Sequence, residues 1–233
     1  MAPPGGTGTG RREAPASHYF TPSPPAPIRE RTIRFGDGDR EFRFRTAAGV
    51  FSRGGVDRGT RLLLDAVDPR GARTILDLGC GYGALGIVMA ARAPRARVRL
   101  VDINPRATAL AQANIRDNRL ANAEARTGDG CAPVDDDRFD LILLNPPIRA
   151  GRAAVRRLLE EAHAHLAPGG RFYLVARTSQ GARTLARCMG EVFGRVHEVE
   201  RGGGFRVYEG SDSTGVDVTS GDDHGAGGVA DDV

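Results

Sequence analysis

Three acidic side chains follow apolar segments of the chain at points where they could bind a ligand. Asp77 precedes a glycine-rich turn, Asp102 closes the segment 98–102, and Asp129 follows the segment 123–128. Three carboxylates would repel a pyrophosphate unless a metal ion intervened, whereas they would attract an ammonium or a sulfonium group. They also offer acceptors to ribose hydroxyls. The predicted chemistry is therefore the binding of a positively charged, ribose-containing ligand.

S-adenosylmethionine combines an ammonium, a sulfonium and a ribose diol, and we predict it as the cofactor. We expect Asp102 to accept the two ribose hydroxyls and Asp77 to face the amino-acid end. Asp129 or its neighbour Gly130 is placed to meet the adenine amine. Taken singly, each carboxylate is equally typical of a helix cap or a solvated turn. Three of them at successive strand ends favour a ligand site.

The glycine-rich turn supplies Gly79, Gly81 and Gly83 within the sequence DLGCGYG, residues 77–83. Glycines let the backbone turn sharply and let a ligand approach it closely. The turn alone does not distinguish ligands, because phosphate loops and purely structural turns have the same composition. Cys80 lies inside the turn, and we expect it to be a small filler and not a nucleophile, since no base is predicted beside it.

The second candidate for chemistry is Asn145-Pro146-Pro147, which follows the apolar segment 139–144. Two prolines cannot continue a strand ladder, and they hold a stiff, extended turn. The side-chain oxygen of Asn145 and the carbonyl of Pro146 could then accept both N–H groups of a planar exocyclic amine. This would aim the nitrogen lone pair at an electrophilic methyl group without a general base. The alternative is an ordinary Pro-Pro turn with a capping asparagine.

The elements that must position these residues alternate between strands and helices. Asp57 is predicted to cap one helix, and Asn104 another that has Pro105 in its first turn. The predicted strands are 32–35, 41–45, 74–78, 98–102, 123–128, 139–144, 171–176, 196–200 and 205–209, and the predicted helices lie around 62–67, 84–93, 105–118, 155–166 and 181–193.

Strands separated by helices imply parallel crossover connections, while the last two strands are linked too closely for a crossover. We therefore expect an α/β fold: a Rossmann-like, doubly wound, mostly parallel seven-stranded sheet with an antiparallel edge strand, plus a short N-terminal β-hairpin. Ligands of such sheets bind at the carboxyl ends of the strands.

The charge of the chain is unevenly distributed. The 233 residues include 33 basic and 29 acidic side chains, for a net charge of +4. Residues 1–17 are predicted to be a disordered leader, and residues 211–233 a disordered acidic tail. The domain between them, residues 18–210, has a net charge of +9. A basic body favours a polyanionic partner such as RNA.

Several classes of protein are disfavoured by the composition. The chain has neither an apolar stretch of membrane-spanning length nor the apolar core of a secretion signal in residues 1–27, so we expect a cytoplasmic protein with no membrane partner. Cys80, Cys131 and Cys188 are odd in number and lack CxxC spacing, which argues against a disulfide framework and a zinc site. We expect no bound metal.

The motif at 77–83 together with Asn145-Pro146-Pro147 resembles the class I S-adenosylmethionine-dependent methyltransferases that modify planar amines. More narrowly, the segments HYF (18–20), GVFS (49–52), DRGT (57–60) and NPPIRAG (145–151) resemble the "methyltransferase small" family. Its best-known members are the ribosomal RNA guanine-N2 methyltransferases. The resemblance covers roughly residues 18–209.

The resemblance implies an enzyme that methylates the exocyclic amine of a guanine in ribosomal RNA, with Asn145, Pro146 and Pro147 in catalysis. The implied cofactor-binding residues are Asp77, Gly79, Cys80, Gly81, Gly83, Asp102, Ile103, Asp129, Gly130 and Asn145. The candidate substrate-binding residues are Tyr19, Phe51, Ile148, Arg149 and Arg152. The family also implies that the segment around Tyr19 closes over the cofactor; the alternative is an aromatic anchor for the leader.

Two features depart from the family. The known ribosomal RNA enzymes carry an additional N-terminal pseudo-domain, whereas here we expect only a short leader and a hairpin. The second departure is Ile148, which stands where many amine methyltransferases place Tyr or Phe to stack on the target base. Asn-Pro-Pro also serves the methylation of glutamine amides in proteins, so a protein substrate is one alternative. A non-catalytic RNA-binding protein with a methyltransferase fold is another. The Gly-x-Gly-x-Gly spacing and the clustered carboxylates disfavour a dinucleotide oxidoreductase.

Overall fold

The computed structural model describes residues 30–50, 52, 54–146 and 151–212. The predictions for the leader and for residues 213–233 of the tail lie outside the described residues. The same holds for five of the site residues predicted above: Tyr19, Phe51, Pro147, Ile148 and Arg149.

A seven-stranded sheet forms the centre of the fold, beside a separate two-stranded hairpin. Across the sheet the strand order is β5-β4-β3-β6-β7-β9-β8, parallel from β5 to β7 and antiparallel at β9 and β8. This confirms the predicted fold class. The hairpin is β1 (Arg31–Asp37) and β2 (Arg40–Thr46), and the sheet is β3 (Thr74–Leu78), β4 (Arg97–Asp102), β5 (Ala123–Thr127), β6 (Phe139–Leu144), β7 (Leu166–Arg177), β8 (Arg195–Gly202) and β9 (Phe205–Ser211).

Five α-helices of the described ranges cover the two faces of the sheet, which explains why the central strands are apolar on both sides. Ile75 and Leu141 face one layer, and Leu76 and Ile142 face the other. The first layer holds the hairpin with α1 (Arg58–Ala66), α2 (Ala84–Arg92) and α3 (Pro105–Asp117), and the second holds α4 (Arg152–Ala164) and α5 (Ala182–Phe193). No helix of the described ranges is long and apolar enough to cross a membrane.

Two asparagines of α3 attach the hairpin to the rest of the domain. The Asn114 side chain accepts from Arg45 N at 2.7 Å and donates to Arg45 O at 3.0 Å. Asn118, one turn later, accepts from Arg43 N at 3.1 Å and donates to Arg43 O at 2.8 Å. The two amides thus satisfy alternate peptide groups along the free edge of β2, as a neighbouring strand would.

Strand β7 begins at Leu166, five residues before the predicted start. The segment from Ala167 to Gly170 contains proline and two glycines, which is typical of a turn. In the structure it forms a bulge, because the pairing with β6 shifts between Phe139 and Leu141. Gly170 fits only without a side chain there, since a Cβ would lie 2.8 Å from the Phe139 carbonyl oxygen. The preceding helix therefore ends at Ala164 and not near 166.

Strand β9 runs through Ser211, one residue beyond the predicted end of the domain at 210. The next residue, Asp212, contacts the ring of His163 through its carboxylate, and that ring packs edge-on against Phe193. The sequence offered no partner for His163. The first acidic residue of the predicted tail therefore belongs to the folded domain.

Candidate active site

The carboxyl ends of β3, β4 and β6 lie side by side and bring three predicted residues to one edge. Asp77 is in register with Leu100 of β4 and Leu143 of β6. Because side chains alternate along strands, Asp77, Asp102 and Asn145 share the face covered by α1 and α2.

The glycine-rich loop after β3 leaves its backbone open. Gly79 and Gly81 adopt φ values of 74° and 57°, which favour glycine, and a Cβ at either would meet nothing within 4 Å. Gly83 also has a positive φ, 89°, and in addition its Cβ would lie 3.0 Å from a Leu100 methyl. The first two glycines therefore form a cradle that a ligand can approach, while the third permits packing of α2.

Asp102 closes this cradle from the side of β4. Its two carboxylate oxygens accept from Gly81 N at 2.8 Å and from Asn104 N at 2.9 Å. Burial raises the pKa of Asp102, and the two backbone N–H groups oppose that shift. The carboxylate is half-buried, with its position set by two peptide groups, and Ile103 follows it, also half-buried.

Asp77 lies beneath the loop and is almost fully buried. Its carboxylate accepts from Gly86 N at 2.7 Å, at the start of α2. Burial raises the pKa of Asp77 from 3.8 to about 7; the nearby Asp102 adds to the shift, while the Gly86 N–H opposes it. Burial also raises the pKa of the Cys80 thiol well above its ordinary range, so Cys80 is neutral at physiological pH.

Asp129, the third predicted carboxylate, is engaged elsewhere. It pairs with Arg157 of α4 at 2.6 Å. Gly130 has a φ of 55°, and a Cβ there would lie 1.8 Å from a carboxylate oxygen of Glu161. That carboxylate accepts from Cys131 N at 2.8 Å. The loop after β5 is thus held to α4, and the role of Asp129 toward adenine stays a prediction.

Asn145 is tied to the first turn of α1. Its Nδ2 atom donates to the Oγ1 atom of Thr60 at 3.1 Å, and that hydroxyl lies 2.6 Å from Oδ2 of Asp57. Asp57 also caps α1, as predicted, by accepting from Gly59 N and Thr60 N. From the sequence, Thr60 is visible only as the last residue of the motif DRGT (57–60). The signal that could have found it is a hydroxyl residue three positions after the cap, on the helix that faces Asn145.

The remaining predicted site residues that the structure describes, Pro146 and Arg152, follow β6 in the chain. Pro146 is buried directly after Asn145, and Arg152 begins α4 as an exposed side chain. Among the residues that the structure describes, no group of three or more His, Cys, Asp or Glu side chains is arranged to hold a metal ion.

The donors and acceptors at this edge fit S-adenosylmethionine. Gly79 and Gly81 offer open backbone, and Asp102 offers a half-buried carboxylate beside it. Asp77 adds a second acidic group that is ready to ionise beside a cation.

Comparisons with known proteins agree with this geometry. A family model described as "Methyltransferase small domain" matches residues 41–209. A protein of Bacillus subtilis (strain 168) called YbxB, described as uncharacterized, is 33% identical over 196 residues, 83% of this chain and 98% of that protein.

Relatives with a stated activity are longer. Ribosomal RNA small subunit methyltransferase C of Pseudomonas fluorescens is 39% identical over 166 residues, covering 69% of this chain and 48% of that protein. The structure of the 16S rRNA N2 methyltransferase of T. thermophilus, in complex with AdoMet and guanosine, is similar with a TM-score of 0.71. It is 30% identical, and the match covers 81% of this chain and 52% of that one. The chain thus spans about half the length of the relatives that carry this name.

Proposed function

Since this chain belongs to the methyltransferase small domain family, we propose that it binds S-adenosylmethionine and methylates the exocyclic amine of a guanine in ribosomal RNA. The observation that carries the proposal is the position of Asn145, whose amide is tethered by Thr60 at the strand edge that also holds the glycine cradle. The names of the 30–39% identical relatives support the choice of RNA and of guanine N2.

The cofactor side of the site comprises the ends of β3 and β4. Asp102 is assigned to the ribose hydroxyls and Asp77 to the amino-acid end, with the open backbone of Gly79 and Gly81 between them. When bound, S-adenosylmethionine supplies an electrophilic methyl group on a sulfonium. Asp77 then has an ammonium to face, which lowers its pKa and stabilises its ionised form.

The acceptor side comprises Asn145 and Pro146. The Oδ1 atom of Asn145 and the carbonyl oxygen of Pro146 are assigned to accept the two N–H groups of the guanine amine. This pair fixes the plane and the direction of the amine and accepts the stronger hydrogen bonds that form as positive charge develops on nitrogen. A proton leaves to solvent afterwards, so no general base is assigned.

The acceptor base must leave its stack to reach Asn145, at a cost of a few kcal/mol. Loops and unassembled RNA therefore make better substrates than paired helices. The net charge of +9 on residues 18–210 favours RNA over the alternative protein substrate, and a ribosomal RNA substrate implies a reaction in the cytoplasm.

The test is transfer of a labelled methyl group by the purified chain. The acceptors are naked 16S rRNA, 30S particles, 50S particles and a ribosome-free protein extract, and the labelled RNA is digested to nucleosides. We expect label in N2-methylguanosine, reduced about 10²–10³-fold with the Asn145→Ala variant. Label confined to protein, in glutamine side chains, would replace the RNA proposal with the protein alternative.

A further inference from the structure

Thr60 has one hydroxyl proton, and the structure determines where it goes. The hydroxyl lies 2.6 Å from Oδ2 of Asp57, and Oδ1 of the same carboxylate accepts from Gly59 N and Thr60 N. An ionised carboxylate only accepts, so the Thr60 hydroxyl must donate to Asp57. The Thr60 oxygen is left with lone pairs alone and can only accept from another neighbour.

That polarity decides the orientation of the Asn145 amide. The amide atom 3.1 Å from Thr60 Oγ1 must be a donor, which is Nδ2 and not Oδ1. The reversed amide would place two acceptors against each other in a site where Thr60 is 7% exposed. Oδ1 is therefore directed away from Thr60.

We infer that Thr60, held by Asp57, is a positioning residue that keeps Oδ1 of Asn145 turned toward the acceptor amine. This inference rests on the proposed function, because it assigns Oδ1 to the amine. Neither Thr60 nor Asp57 touches the reacting atoms. Their contribution is to keep one of the two amide orientations populated, so their loss acts on the methyl-transfer rate and not on the affinity for the cofactor.

Three variants separate positioning from packing. Thr60→Val keeps the shape and removes the hydroxyl, and Thr60→Ser keeps the hydroxyl. Asp57→Asn keeps a good helix cap but can turn an NH2 toward Thr60. The Thr60 hydroxyl is then free to donate, which favours the reversed amide of Asn145. Thr74→Val is the matched control, because Thr74 is hydrogen-bonded to Asp140 at the opposite, amino end of β3.

The readouts are kcat with RNA, the cofactor Kd by calorimetry and the unfolding midpoint. Thr60→Val and Asp57→Asn should lower kcat about 10- to 100-fold with an unchanged cofactor Kd, while Thr60→Ser and Thr74→Val keep kcat within about threefold. Full activity of Thr60→Val beside an active wild type overturns the inference and leaves the proposed function standing. Loss of cofactor binding together with kcat would instead mark Thr60 as a packing residue, and an inactive wild type would remove the proposed function itself.

A second inference concerns the surface next to Asn145. Arg177 ends β7, the neighbour of β6, and its guanidinium lies 5.0 Å from the ring centre of Phe205. The Phe205 ring packs against Gly59 of α1 so closely that a Cβ on Gly59 would lie 3.0 Å from it. Arg58, on the same turn of α1, lies against Gly203 of the β8–β9 turn. Both arginines are exposed, and no carboxylate of the described ranges pairs with either.

We infer that Arg58 and Arg177 hold the phosphate backbone of the RNA that delivers its base to Asn145. Guanidinium groups without acidic partners can donate two parallel hydrogen bonds to one phosphate, and the cation–π contact with Phe205 limits the rotation of Arg177. The two charges lie on the β7–β9 side of Asn145, whereas the glycine cradle lies on the β3–β4 side. RNA and cofactor can therefore approach the same asparagine from opposite sides. This inference also rests on the proposed function.

The test compares Arg58→Ala/Arg177→Ala with Arg183→Ala/Arg187→Ala, which removes the same charge from exposed positions of α5 on the other face of the sheet. The first pair should weaken binding of naked 16S rRNA about tenfold and reduce the salt slope by about 0.7 per lost phosphate contact, with an unchanged cofactor Kd. An equal loss of RNA affinity in the two double variants would overturn the inference and leave only a general effect of net charge. If the wild type methylates protein and binds no RNA, both this inference and the RNA proposal fail.

Discussion

The carboxylate of Asp102 accepts the backbone N–H of Gly81 at 2.8 Å and thereby joins the end of β4 to the loop after β3. The glycine loop is therefore positioned by a side chain from the next strand, and not only by its own turn geometry. An acidic residue at this point serves two purposes under the proposed function: it shapes the cradle, and it presents an acceptor to a ribose.

Asp102→Ala should raise the Kd for S-adenosylmethionine at least tenfold, because it removes both the proposed ribose acceptor and the tie to Gly81. Calorimetry measures the Kd, and the far-UV circular dichroism should remain that of the wild type. Asp65→Ala is the control, since Asp65 is an exposed residue of α1. An unchanged Kd in Asp102→Ala would contradict the ribose assignment.

Asn145→Ala should keep the cofactor Kd of the wild type and lose methyl transfer by about 10²–10³-fold, the scale expected for removing one preorganised hydrogen-bonding group. Calorimetry and labelled-methyl transfer to RNA make the comparison. A variant that retains wild-type turnover would show that the acceptor amine is held by other groups.

The stability of the cofactor-free protein should depend on pH through Asp77. Its pKa in the folded chain is about 7, against 3.8 ordinarily, because the carboxyl is buried. The folded state therefore binds the proton more tightly than the unfolded state. The resulting stabilisation is fully present below about pH 4 and is lost as the pH rises through about 7, by at most on the order of 4 kcal/mol.

Asp77→Asn removes this titration and should flatten the free energy of unfolding between pH 4 and 8, while its amide oxygen can still accept from Gly86 N. Urea unfolding at successive pH values measures the effect, with Asp65→Asn as the control at an exposed position. If the free energy of unfolding changes with pH by the same amount in the wild type and in Asp77→Asn, then Asp77 does not titrate in this range.

Asn114→Ala should destabilise the fold by about 2–3 kcal/mol, because it leaves the peptide groups of Arg45 and the carbonyl of Tyr82 without their partner. Gln112→Ala, which removes one hydrogen bond to Ala125 N, should cost less than half as much. Urea unfolding gives both values, and hydrogen exchange at Arg45 N should accelerate only in Asn114→Ala. An equal loss of unfolding free energy in the two variants would indicate that the hairpin is held by its apolar face alone.

The order of elements was predictable because each carries a local signal. Asp57 caps α1 and Asn104 caps α3, as their sequence positions indicate. Strand β7 was predicted too short because its first residues have turn-like composition, and only the offset pairing with β6 keeps them in the sheet. His163 had no predicted partner because Asp212 is 49 residues away in the chain.

The sequence by itself determined the alternation of strands and helices, the glycine turn after β3 and the Asn-Pro-Pro motif after β6, since these depend on periodicity and backbone chemistry within a few residues. Tertiary structure alone decided which polar groups meet. Thr60 reaches Asn145 across 85 residues, Asn114 reaches Arg45 across 69, and Asp129 pairs with Arg157 of α4. Contacts of this kind depend on how helices pack on the sheet, and no local pattern of residues encodes that packing.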